Sequence, residues 1–133
     1  MTWRNPREVM TAIRVMLVDD HPLIREGLTK LFEEIADVAL VGFATDGEAA
    51  QEVCRQCAPD VVLMDVRLPG IDGIETTRRL LADRPSLGVL LLTSFPSRRV
   101  IDEGMSAGAR GCLAKDESAG KILGAIRAAS SMA

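Results

Sequence analysis

The sequence predicts an α/β domain built on one parallel sheet. Three observations carry that prediction. Five short apolar runs alternate with five amphipathic stretches along 133 residues, a length that suits a single domain. The fourth run, residues 87–92 (LGVLLL), lacks polar alternation, as expected of a strand covered on both faces. The residues with the most reactive chemistry follow the runs, as ligand-binding residues do at the carboxyl ends of parallel strands.

The elements follow in order. Residues 1–12 contain Pro6 and several charges and read as a flexible lead-in; residues 13–133 form the domain. Residues 13–18 (IRVMLV) are apolar and β-branched enough for a buried strand. Pro22 suits a helix's first turn, and Leu23, Ile24, Leu28, Leu31, Phe32 and Ile35 recur at helical spacing. Residues 38–44 (VALVGFA) are a second strand, closed by the turn signal Thr45-Asp46-Gly47. Residues 48–57 carry a weaker helical face of Ala49, Ala50, Val53, Cys54 and Cys57, stopped by Pro59. Residues 61–64 (VVLM) are the third strand, and 67–73 (RLPGIDG) a loop. The helix over 74–82 turns Ile74, Thr77, Leu80 and Leu81 inward. After the fourth strand, a helix over 97–107 stops at Gly108, and 112–114 centre a fifth strand. Ser118 can cap a last helix that buries Ile122, Leu123, Ile126 and Ala129.

Composition narrows the function. With 47% hydrophobic and 26% charged residues the chain is not wholly disordered. A net charge of -3 gives no basic excess for free-standing nucleic-acid binding, and 3% aromatics without Tyr offers no stacking platform. No apolar run approaches a membrane span, and residues 1–12 lack the apolar core of a secretory signal. Three cysteines, an odd number, argue against a disulfide framework and for a reducing cytosol.

The chemistry lies at the strand ends: Asp19 and Asp20 after the first, Asp65 after the third, Thr93 after the fourth, Lys115 after the fifth. If the strand order is 2-1-3-4-5, the three acids meet across one strand spacing of roughly 5 Å, with Thr93 beside Asp65 and Lys115 within reach. Two carboxylates about 4 Å apart repel by about 4 kcal/mol at an effective dielectric near 20, so the cluster takes up protons or holds a cation. Oxygen ligands without thiolate or clustered His select Mg²⁺ (or Mn²⁺) over zinc. A carboxylate nucleophile, a metal, a hydroxyl donor and a basic clamp together describe a phosphoryl-transfer site.

Four segments at these strand ends carry a family resemblance: LVDDHPLIREGL (17–28), VVLMDVRLPGIDG (61–73), LLLTSF (90–95) and GARGCLAKD (108–116). Over residues 15–129 the chain resembles the receiver domain of two-component response regulators, of the NarL/LuxR type. The resemblance implies a flavodoxin-like (βα)5 three-layer sandwich of strand order 2-1-3-4-5. It implies Asp65 as phosphoacceptor and Asp20 as a direct Mg²⁺ ligand. Asp19 would act largely through water, and the backbone carbonyl of Arg67 would be a further ligand. Thr93 and Lys115 would contact phosphoryl oxygens. The implied donor is a phosphohistidine of a sensor histidine kinase. The implied output is a DNA-binding helix-turn-helix domain outside this chain. Homodimers would form through helices one and five or through the helix-four, strand-five, helix-five face. Such a protein is cytoplasmic, makes no membrane contact, and is a signalling phosphoacceptor, not an enzyme acting on other substrates. The position three before Lys115, often aromatic in receivers, is Cys112, which excludes an aromatic swing there.

Blander and rival readings bear on individual residues. His21, the only histidine, stands beside the acids; the resemblance makes it a variable, solvent-facing residue, against a nucleophile or ligand role. Cys54 and Cys57 form a CxxC without a second pair and read as buried small hydrophobes. Cys112 supports an alternative: a phosphorylation-independent interaction module. A phosphatase with an aspartyl-phosphate intermediate would need an acid where Arg67 stands, and few aromatics are available to sandwich a flavin.

Overall fold

The structure, a computed structural model, describes residues 11–131. Five strands alternate with five helices. The strands are β1 (Ile13–Val18), β2 (Val38–Ala44), β3 (Val61–Asp65), β4 (Gly88–Thr93) and β5 (Gly111–Ala114). The helices are α1 (Pro22–Glu33), α2 (Gly47–Cys57), α3 (Gly73–Asp83), α4 (Arg98–Ser106) and α5 (Ala119–Ser131). All strands pair in parallel, in the order β2-β1-β3-β4-β5. This is the expected flavodoxin-like arrangement.

Strand alternation divides the interior into two cores. Val15, Leu17, Leu63, Leu90 and Leu92 face one side, where Leu28 and Phe32 of α1 and Ile122, Leu123 and Ile126 of α5 cover them. Met16, Val18, Val62, Met64 and Leu91 face the other, under Ala50 and Cys54 of α2 and Ile74 and Leu80 of α3. Helices cover both sheet faces, so the central strands read as continuous apolar runs. Each such Leu or Val stabilises the fold by roughly 1.5–3 kcal/mol relative to exposure. Only Gly104 of α4 is buried, making α4 the helix with the smallest share in the core.

Local chemistry sets the helix starts. Pro22 occupies the first turn of α1, where its missing N–H costs nothing. The side chains of Asp46, Asp72 and Ser97 cap α2, α3 and α4 by accepting from the N–H groups of Ala49, Glu75 and Val100. Two of these caps move expected boundaries: α2 begins at Gly47 and α3 at Gly73, each one residue earlier than periodicity indicated.

Two expected inward positions, Leu23 and Ala49, are exposed instead. Leu23 is 81% exposed; it stands five residues before Leu28, about 140° around the helix at 3.6 residues per turn. Leu81 is half-buried against the core, as expected, and Thr76 is buried as well, its hydroxyl satisfied by donating to the carbonyl of Asp72 at 2.7 Å. Of the expected lead-in, Thr11 is exposed and Ala12 is buried, while residues 1–10 lie outside the described residues. Cys54 is buried and Cys57 half-buried, and burial pushes both thiols above their ordinary range, consistent with packing.

Candidate functional site

Parallel pairing brings the carboxyl ends of the strands to one edge. Val18 lies beside Met64, Asp65 beside Leu92, and Thr93 beside Ala114. The backbone N–H of Lys115 then donates to the carbonyl of Thr93 at 2.9 Å, continuing the ladder past β5. Residues from four separate loops therefore face one open pocket of about 420 Å³, lined among others by Asp20, Asp65, Arg67, Thr93, Phe95 and Lys115.

Asp65 is the most enclosed of these, only 1% exposed. Lys115 Nζ donates to its Oδ2 at 2.9 Å, and the backbone N–H of Arg67 donates to its Oδ1 at 3.1 Å. Burial, the largest influence, pushes the Asp65 carboxyl above its ordinary range. The bond from Lys115 opposes that shift and the Asp19 charge reinforces it. Gly73 explains how the following loop folds back so closely. Its N–H donates to the carbonyl of Val66 at 2.9 Å, and a Cβ there would collide with the backbone carbonyl of Asp65.

Asp19 is also buried, at 4% exposure, while Asp20 is exposed. Asp19 Oδ1 accepts from the backbone N–H of His21 at 2.7 Å. Asp19 Oδ2 is buried without a hydrogen bond, although Lys115 Nζ lies 3.2 Å away as an ion pair. A buried carboxylate oxygen without a hydrogen bond leaves capacity to accept a further cation. Ligand atoms of Asp19, Asp20, His21 and Asp65 all lie within 4.8 Å of one another. At that separation two carboxylates repel by about 3–4 kcal/mol at an effective dielectric of 20. Hard oxygens, charge excess and an unsatisfied buried acceptor fit a divalent cation of the Mg²⁺ type.

The structure thus brings together Asp19, Asp20, Asp65 and Lys115, with Thr93 and Arg67 on the same pocket wall. The Thr93 hydroxyl oxygen accepts from the N–H of Phe95 at 3.1 Å, so its own hydrogen stays available for donation. His21 is solvent-facing, as expected, and its ring also reaches the acids. Its side chain is 55% exposed, yet Nδ1 lies 2.7 Å from Asp19 Oδ1, 3.3 Å from Asp20 Oδ1 and 3.5 Å from Asp65 Oδ2. Lys115 Nζ approaches the same nitrogen to 2.9 Å. Its place at the N-cap of α1, between the acid pair and Pro22, keeps it beside the acids, as the order of residues indicates.

Residues 15–127 match the family model described as the response regulator receiver domain. The chain belongs to that family. Among curated proteins this receiver is 41% identical over 120 residues to the response regulator GacA of Pseudomonas aeruginosa, covering 86% of this chain and 54% of that protein. Among solved structures it is similar to a LuxR-family two-component response regulator from Aurantimonas sp. SI85-9A1. That pair shares 35% identity at TM-score 0.85, covering 90% of this chain and 86% of the other. It is similar also to the signal receiver domain of the response regulator NarL from Mycobacterium tuberculosis, with 33% identity and TM-score 0.86 over 92% of this chain and 98% of that one. The receiver is of the NarL/LuxR type, and it spans about half the length of the curated relatives it matches. Among the described residues no helix is long and apolar enough to cross a membrane.

Proposed function

We propose that Asp65 of this receiver accepts a phosphoryl group from a phosphohistidine of a sensor histidine kinase. The observation that carries this is a carboxylate 1% exposed, at a strand end, paired with an ammonium at 2.9 Å beside two further acids. An Asp65 oxygen forms the new P–O bond as the P–N bond of the phosphohistidine breaks. The imidazole leaves with the bonding electron pair. Asp19, Asp20, Asp65 and the backbone carbonyl of Arg67 would hold Mg²⁺ (or Mn²⁺), which supplies positive charge to offset the gathered oxygens when bound.

The protein's own groups do the remainder. Burial strips water from Asp65, keeping a nucleophilic oxygen poorly solvated. Lys115 orients Oδ2, and after transfer its ammonium pairs with a phosphoryl oxygen. Thr93 donates its free hydroxyl hydrogen to another, drawing in the loop that leads to α4. Since α4 buries only Gly104, little core packing opposes its displacement. Half-buried Cys112 takes part by packing against the α2–α3 core in place of an aromatic swing.

The added charge biases two surface states. One readout surface is the α4–β5–α5 face, where Ile101 and Met105 are exposed and Phe95 is 75% exposed nearby. The other is the α1–α5 side, where Leu23 is exposed. Either supports a homodimer. In the whole protein the output is a DNA-binding domain regulating transcription in the cytoplasm, with residues 13–133, joined by buried Ala12, as receiver.

The test is incubation with a small acyl phosphate and Mg²⁺, read by intact mass. The parent gains one phosphoryl group and Asp65→Asn gains none. Equal uptake by Asp65→Asn refutes the assignment.

A further inference from the structure

We propose that His21 supplies a nitrogen ligand beside Asp19, Asp20 and Asp65, making the pocket a mixed carboxylate–imidazole site that takes a borderline divalent ion such as Co²⁺ or Zn²⁺ as well as Mg²⁺. The inference deepens the phosphoacceptor reading and rests on the pocket's being a cation site.

Geometry supports it first. The four ligand atoms lie within 4.8 Å of one another. Bonds of about 2.0–2.2 Å to a first-row ion place opposite ligands about 4 Å apart, so the cluster closes on an ion by well under an ångström. The ring is already aimed. Asp19 Oδ1 lies 2.7 Å from both the backbone nitrogen and Nδ1 of His21, which turns Nδ1 toward the acids.

The second support is a buried acceptor inside the cluster. Asp19 Oδ2 is buried and makes no hydrogen bond, the one such side-chain atom among the described residues. The third is that these residues already gather round a positive charge. Lys115 Nζ sits 2.9 Å from Asp65 Oδ2, 3.2 Å from Asp19 Oδ2 and 2.9 Å from His21 Nδ1. A divalent ion takes over that charge from Asp19 and His21, leaving the ammonium to Asp65.

The consequence is selectivity. Mg²⁺ prefers oxygen ligands and keeps waters, so an imidazole adds little to its binding. Co²⁺, Ni²⁺ and Zn²⁺ gain from nitrogen. His21 therefore separates the two classes of ion without strengthening both. An all-oxygen site also ranks these ions above Mg²⁺, so the discriminating quantity is the ion-specific loss on removing His21.

The experiment compares the parent with His21→Gln, whose position is half exposed at a helix cap, so folding is retained and checked by thermal unfolding. Dissociation constants for Mg²⁺ and Co²⁺, each added alone, are measured by calorimetry. Co²⁺-loaded protein is then examined by proton NMR for a hyperfine-shifted, exchangeable imidazole N–H signal. The expected result is Co²⁺ affinity weakened about tenfold or more in His21→Gln, Mg²⁺ affinity changed by less than about twofold, and the shifted signal present only in the parent. Equal Co²⁺ affinity in both proteins overturns the proposal. Equal weakening of both ions also overturns it, since His21 then only shapes the acid cluster. Failure of the parent reading is separable: phosphoryl uptake by Asp65→Asn removes the phosphoacceptor assignment, while the Co²⁺ signature tests the nitrogen ligand by itself.

Discussion

Replacing Lys115 with methionine keeps most of the length of the side chain and removes its charge. The ammonium is paired with two buried carboxylates, at 2.9 Å to Asp65 and 3.2 Å to Asp19, and the lysine side chain is itself 11% exposed. Removing one partner of a buried pair costs about 3–5 kcal/mol because a charge is left uncompensated. The lower end applies here, since Asp20 and the pocket mouth admit solvent. Unfolding entropy near 60 °C is about 2.1 cal/mol/K per residue, or about 280 cal/mol/K for this chain, so about 3 kcal/mol lowers Tm by about 11 °C. The deficit carries a signature that lost packing would not. Without Lys115, Asp65 binds a proton more readily in the folded state than in the unfolded one, so acidification restores stability. A divalent cation, placed among the same acids, restores it too. Thermal unfolding of Lys115→Met is therefore measured at pH 8 and pH 5.5, with and without Mg²⁺. A Tm within about 1 °C of the parent at pH 8, or a deficit indifferent to both pH and Mg²⁺, would refute the reasoning.

Three further outcomes are expected. In metal-free buffer Asp65→Asn is more stable than the parent at pH 8. The parent's Asp65 carboxyl lies above its ordinary range, so ionising it penalises the folded state as pH rises through the folded pKa. The advantage vanishes below the unfolded value of 3.8, and a pH-independent gap in urea midpoints would contradict it. Gly73→Ala forces a methyl against the Asp65 carbonyl, lowering stability by about 1–3 kcal/mol and slowing phosphoryl uptake; parent-like urea curves would show that the loop yields freely. On α1, Leu28→Ala costs about 2–5 kcal/mol whereas Leu23→Ser changes stability by less than about 0.5 kcal/mol, because only Leu28 reaches the core. Equal effects would place the helix in another rotation.

Much of the fold was legible because its causes are local. The β-branched and leucine-rich runs and the turn residues act within a few neighbours, so every strand and helix was found. Boundaries slipped where a side-chain cap overrides periodicity, as Asp46 and Asp72 do at α2 and α3. Leu23 was misplaced because a helical repeat counts apolar residues on an arc without knowing where the sheet cuts it.

The amino-acid order by itself determined which chemistry is available: acids after β1 and β3, a hydroxyl after β4, an amine after β5. Tertiary structure decided which of these groups meet. Lys115 reaches His21 across 94 positions of chain, and nothing local to either residue specifies that approach. It follows from the parallel sheet, whose buried faces hold the strand ends at one edge and keep water from Asp19 and Asp65. Electrostatic interaction between them is strong for that reason, and position in the fold, not residue type, turned a variable-looking histidine into a neighbour of three carboxylates.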